Sequence, residues 1–101
     1  MKLLQIETES GFRVLTSTGH SQAATMVLGA GTSTGGPENQ HAHSDQWLYV
    51  LSGEGVATVN GEEHQLKPGF LLLLEAGDMH EIASSGQGPL ETLNIYAPPA
   101  Y

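Results

Sequence analysis

Short apolar runs, cut at close spacing by Gly, Pro, Asn and Asp, recur along this chain. No window of useful length sustains the spacing of about 3.6 residues that marks an amphipathic helix. The pattern predicts strands at 12–16, 20–28, 46–52, 56–59, 63–66, 70–74, 79–83 and 90–96, and a Gly-, Ser- and Thr-rich loop at 29–37. Asn60-Gly61, between two of these runs, is a strong hairpin signal, because both residues tolerate positive φ in a type I′ turn. Pro68-Gly69 and Ala76-Gly77-Asp78 mark further turns. Strand alternation places Gln46, Leu48 and Val50 on one face, with Trp47, Tyr49 and Leu51 on the other. Taken with Gln46 inward, the same alternation turns His80 and Ile82 inward from another strand. The predicted class is all-β, a sandwich or barrel.

Composition narrows the picture. At 101 residues the chain reads as one domain, 1–101, with no repeat or linker to divide it. Hydrophobic residues make up 39% and charged residues 14%, which excludes a charged, disordered polymer. The formal charge of −8 repels phosphate backbones and anionic bilayers, so neither nucleic acid nor membrane is an expected partner. With no cysteine, disulfides and thiolate metal sites are excluded, and any transition-metal ligands are His, Asp, Glu or amides. Residues 1–7 hold no apolar run of signal-peptide length, and 70–74, the longest apolar stretch, is far too short for a bilayer. A cytoplasmic location is the expectation.

The candidate chemistry lies in the histidines. Positions i and i+2 of a strand point the same way, so His41-Ala42-His43 would present two imidazoles on one side of a sheet. His80, on a neighbouring strand, would complete a three-nitrogen pocket suited to Zn, Fe, Ni or Cu. His20 and His64 read as surface or hydrogen-bonded residues. Glu75, Asp78 and Glu81 flank His80, but a turn or the outward face takes each of them. The glycines at 29, 31, 35 and 36 are followed by neither helix nor lysine, so they read as turns rather than a phosphate loop. Pro98-Pro99-Ala100-Tyr101 has the PPxY pattern of WW-domain ligands, and also suits a tail packed on a partner subunit.

Two spaced motifs resemble those of the cupin superfamily. The first is Gly, five residues, His-x-His, three or four residues, Glu, six residues, Gly. Gly35, His41, His43, Gln46 and Gly53 follow it, with Gln46 in place of the glutamate and only Ser44 and Asp45 between Gln46 and His43. The second is Gly, five residues, Pro-x-Gly, two residues, His, three residues, Asn. Gly69, Glu75, Gly77, His80 and Ser84 match it without a gap, with Glu75 for proline and Ser84 for asparagine. The motif region spans 35–84, about half of the chain.

The resemblance implies a cupin-type jelly-roll β-barrel, the double-stranded β-helix. It implies a divalent transition ion (Zn, Fe, Ni or Mn) held by His41, His43, Gln46 and His80, with Asp45 a replacement ligand only if a bulge turns it inward. An amide oxygen neutralises none of the ion's charge, which favours an anionic organic substrate. The function expected is that of a metal-dependent small-molecule enzyme, dioxygenase or isomerase in type. The alternative is a non-catalytic barrel that binds or senses a small ligand. Trp47, Tyr49 and Leu51, with Leu71 and Leu73, form an outward apolar set, so a homodimer is expected, its 96–101 tail packed across the two-fold axis.

Overall fold

The structure, a computed structural model, describes residues 1–35 and 41–101. The end of the Gly-rich loop and the five-residue spacer before His41 lie outside the described residues. Every expected strand is present: β1 Gly11–Ser17, β2 Gln22–Leu28, β3 Asp45–Ser52, β4 Gly55–Val59, β5 Glu62–Leu66, β6 Leu71–Leu74, β7 His80–Ser84 and β8 Leu90–Ala97. No helix occurs among the described residues, so none is long and apolar enough to cross a membrane.

The strands form a five-stranded sheet, ordered β1-β2-β8-β3-β6, and a three-stranded sheet, ordered β5-β4-β7. All named pairings are antiparallel. From β3 onward the chain passes back and forth between the sheets, the winding of a jelly roll. The segment 32–34 adds to the outer edge of β7, through a Ser33–Ala83 bridge, Thr34 N–H to the Ile82 carbonyl (2.9 Å) and Ser84 N–H to the Thr32 carbonyl (2.9 Å). That cover protects an otherwise open strand edge.

The turns follow their sequence signals. Val59 pairs with Glu62, leaving Asn60 (φ 49°) and Gly61 (φ 85°) as a two-residue loop with both φ values positive. At Gly53 φ is +83°, and a Cβ there would collide with the carbonyl of Pro89, so the turn after β3 requires glycine twice over.

Alternation fixes which side chains fill the interior. Along β3, Gln46, Leu48 and Val50 are buried while Trp47 and Tyr49 are exposed. On β8 the inward set is Leu90, Thr92, Asn94 and Tyr96. Met26, Leu48, Val50, Ala57, Leu66, Ile82 and Leu90 form the apolar core between the sheets. Each fully buried large aliphatic side chain contributes about 1.5–3 kcal/mol.

A polar chain crosses this interior. Gln46 Nε2 donates to Asn94 Oδ1 (2.9 Å), Asn94 Nδ2 donates to Thr92 Oγ1 (3.0 Å), and Thr92 Oγ1 donates to the Met26 carbonyl (3.0 Å). Asn94, Thr92 and Gln46 are all buried, so each bond is made at low dielectric and each loss leaves an orphan. Asn94→Ala strips Gln46 Nε2 of its acceptor and opens a cavity, which should cost about 2–3 kcal/mol. Chemical denaturation checks this. An unchanged midpoint in the variant would show that the chain of bonds carries no stability.

Candidate functional site

One end of the barrel holds a cavity of about 290 Å³, with His41, Gln46 and His80 in its wall. His80 opens β7 and is only 6% exposed. Its Nδ1 lies 3.1 Å from the Asp78 carbonyl oxygen. A carbonyl only accepts, so Nδ1 carries a proton, and in the neutral ring Nε2 keeps its lone pair.

The turn before β7 is stapled to the β4–β5 hairpin. Asp78 accepts from Glu75 N–H (2.8 Å) and from Asn60 Nδ2 (3.0 Å), while Met79 N–H donates to Asn60 Oδ1 (3.0 Å). The carboxylate expected to sit in a turn is therefore a turn-forming group.

His41 reaches the site by a different route from the one the sequence suggested. Residues 41–44 are a turn that leads into β3, not part of the strand, so His41 and His43 do not share a sheet face. Gly77 N–H donates to the His41 carbonyl (2.9 Å), which pins this turn against the 75–78 turn. The His41 and His80 rings then stand 5.5 Å apart, tilted by 36°. Burial first, and the neighbouring His80 second, hold the His41 imidazole below the usual histidine range. It is neutral at pH 7.

His43 is exposed and borders a second hollow alongside Ser44, Pro99 and Ala100, with His41 lining both this hollow and the cavity. Among the described residues, no three His, Cys, Asp or Glu side chains converge on one point. Asp45 is exposed too, its Oδ1 accepting Ala76 N–H (3.0 Å), and no bulge turns it inward. Gln46 is the residue of this segment that faces the cavity.

The Gln46 amide is oriented by the polar chain behind it. The Met26 carbonyl accepts only, so Thr92 donates to it, Asn94 Nδ2 faces Thr92, and Asn94 Oδ1 faces Gln46 Nε2. Gln46 Oε1 is buried and has no hydrogen-bond partner. An acceptor left in that state costs about 1–3 kcal/mol. The wall thus presents two lone pairs without donors, Gln46 Oε1 and His80 Nε2, beside a neutral His41 imidazole whose Nε2 lies 3.4 Å from the Tyr101 hydroxyl. Such a set suits a divalent ion or a donor-rich ligand.

The sequence reading missed the aromatic part of the wall. Phe12, Tyr96 and Tyr101 line the cavity with Met26 and Ile82. Tyr96 packs edge-on against His41 (5.2 Å) and Tyr101 (5.2 Å), and Phe12 lies 4.6 Å from Tyr101. Burial raises the Tyr96 hydroxyl far above the usual phenol range, so it is a neutral donor. Alternation along β8 would have found Tyr96, in phase with Thr92 and Asn94. Nothing local in the sequence signals Tyr101, whose tail folds onto its own barrel.

Known proteins resemble this chain in both sequence and fold. A Cupin domain family model matches residues 24–96. An oxalate-binding protein of Thermotoga maritima is 34% identical over 74 residues, covering 71% of this chain and 58% of that protein. An L-ectoine synthase of Saccharopolyspora erythraea is 36% identical over 61 residues, 58% of this chain and 44% of that protein. A Bacillus halodurans protein of known structure superimposes with a TM-score of 0.87 at 27% identity, covering 93% of this chain and 74% of its own. The chain spans about half the length of the curated relatives it matches, from 41% to 58% in three of them. A double-stranded β-helix whose inner wall carries His41, Gln46 and His80, matched over most of its length by the family model, makes this chain a member of the cupin family.

Proposed function

We propose that this barrel binds one divalent transition ion through His41, His80 and Gln46, with His43, which borders the adjoining hollow in this structure, as a further ligand of the same turn. We propose further that it acts on a small anionic organic molecule. The observation that carries the reading is the buried, unpartnered Gln46 Oε1, beside two imidazoles and facing no donor. When bound, the ion supplies Lewis acidity or, if it is iron, activation of dioxygen. Gln46 adds no charge, so the site favours an anion more than a carboxylate ligand would allow. Tyr96 and Tyr101 offer hydroxyl donors to the anion's oxygens, while Phe12, Met26 and Ile82 exclude water. That a Thermotoga maritima relative is an oxalate-binding protein agrees with an anionic ligand. The relatives also include an L-ectoine synthase and a tetracenomycin polyketide synthase protein, so similarity selects no single reaction.

The second reading, a non-catalytic ligand-binding barrel, is favoured by one feature. Among the described residues, no carboxylate lines the cavity to serve as acid or base. Turnover of small carboxylic and enolic acids by the metal-loaded protein separates the two readings.

Titration with Co²⁺, followed by visible absorption and calorimetry, tests the ion site. His41→Ala and His80→Ala should abolish stoichiometric binding, and His43→Ala should weaken it about tenfold or more, by analogy with loss of supporting contacts at such sites. Gln46→Glu should tighten it by adding a negative charge. Full Co²⁺ retention in both His41→Ala and His80→Ala refutes the site.

Ligand imidazoles must be neutral, and a lowered His41 stays neutral down to below its ordinary value of about 6.5. Loading should therefore be complete at pH 7 and fall as the pH drops beneath that value. Loading that stays flat to about pH 4 would contradict imidazole ligation.

The outward face supports a homodimer. Trp47 pairs laterally with Leu73 and Ile95, and Tyr49 with Leu71 and Leu93, so the exposed aromatics sit in one apolar patch across β6, β3 and β8. Monomers rarely leave such a patch in water. A second copy is the proposed occupant. Light scattering at micromolar concentration should give twice the chain mass, and Trp47→Asp should halve it. A wild-type monomer mass rejects the dimer.

A further inference from the structure

The segment after β8 does not run off the barrel but turns back across the mouth of the cavity. A single buried side chain holds it there. Gln22, 3% exposed at the start of β2, uses its amide much as a neighbouring strand would use its backbone. Its Oε1 accepts from Ala100 N–H (3.2 Å) and Tyr101 N–H (3.1 Å), while its Nε2 donates to the Tyr101 main-chain oxygen (2.8 Å) and to Ser17 Oγ (3.0 Å). Every hydrogen-bonding group of that amide is engaged, and three of the four bonds go to the tail.

The consequence is the placement of one ring. Tyr101 sits against Phe12 (4.6 Å), Tyr96 (5.2 Å) and His41 (5.4 Å), with its hydroxyl 3.4 Å from His41 Nε2. That nitrogen must be free if it is to bind an ion or any other ligand. Tyr101 is nonetheless 63% exposed as a residue, so its ring can swing outward without disturbing the core.

We propose that Tyr101 guards His41: its hydroxyl caps Nε2 in the ligand-free barrel, Gln22 is the positioning residue that holds it there, and a ligand of His41 must displace it. The inference rests on the proposed role of His41 as a ligand-binding group. It concerns the metal-free protein, however, and can be tested without an ion.

Tyr101→Phe removes only the hydroxyl. It keeps the ring against Phe12 and the backbone bonds to Gln22, so folding is not at stake. Diethyl pyrocarbonate acylates unprotonated imidazole nitrogens, and peptide mass mapping reads each histidine separately. In metal-free protein, His41 of Tyr101→Phe should react about two to ten times faster than in wild type, the worth of one neutral hydrogen bond. His43 and His80 should keep their rates. Long-range ¹H–¹⁵N spectra should show the His41 Nε2 resonance move while that of His80 stays. Gln22→Leu should reproduce the faster His41 reaction with the hydroxyl still present.

An unchanged His41 rate in Tyr101→Phe overturns the proposal, as does an equal rise at all three histidines. Co²⁺ binding then separates this inference from the metal reading. If neither wild type nor Tyr101→Phe binds Co²⁺ while His41 alone becomes more reactive, the metal reading falls and the guard stands. If both bind Co²⁺ equally and His41 reactivity is unaltered, the guard falls and the metal reading stands. If both ideas hold, Tyr101→Phe binds Co²⁺ about two to ten times more tightly.

Discussion

A carbonyl oxygen accepts and never donates, and applied at Met26 that rule orients the polar half of this barrel. It fixes the Thr92 hydroxyl, which fixes the Asn94 amide, which fixes the Gln46 amide. The end of the chain is an oxygen with nothing to bond to, buried at the cavity wall. Buried acceptors in that condition are costly, and the fold keeps this one by making every bond behind it. A barrel with Leu at these positions would be simpler to stabilise. It would have no lone pair to offer.

Two walls that are distant in sequence meet at that oxygen. Gln46 and Tyr96 are laterally paired on β3 and β8, in the large sheet, while His80 opens β7 in the small one. What brings them within reach is the crossing of the chain between sheets, followed by local stapling of the intervening turns. Asp78, Asn60 and the Gly77 N–H to His41 carbonyl bond tie three loops into one rim. The carboxylates near the site are used for this stapling: Asp78 caps its own turn and Asp45 caps Ala76. The interior is thereby left to neutral groups, despite a formal charge of −8 on the whole chain.

The same alternation that faces Gln46 inward faces Trp47 and Tyr49 outward, so the cavity and the apolar outer patch are two sides of one strand. Changes on β3 are therefore liable to affect both. The N-terminal segment adds to the outer surface, with Thr8 hydrogen-bonded to Glu91 on β8 (2.9 Å) and Leu3, Leu4 and Ile6 exposed.

The sequence alone determined the strands, the hairpin at Asn60-Gly61 and the inward parity of Gln46, Leu48, Val50, His80 and Ile82, because these depend on period-two alternation and on turn residues acting within a few positions. The motif resemblance put His41, His43, Gln46 and His80 in one site; the structure lines one cavity with His41, Gln46 and His80 and leaves His43 at an adjoining hollow. Tertiary structure decided the rest. The His41-Ala42-His43 segment is a turn, because its backbone answers to Gly77 rather than to a neighbouring strand, and so its two imidazoles part company. The Gln46 amide keeps its oxygen without a hydrogen-bond partner because of a carbonyl two strands away. Tyr101 joins the cavity wall because Gln22, 79 positions earlier, accepts its backbone N–H. Each of these depends on a hydrogen bond between residues far apart in the chain, and no local pattern of residues encodes such a bond.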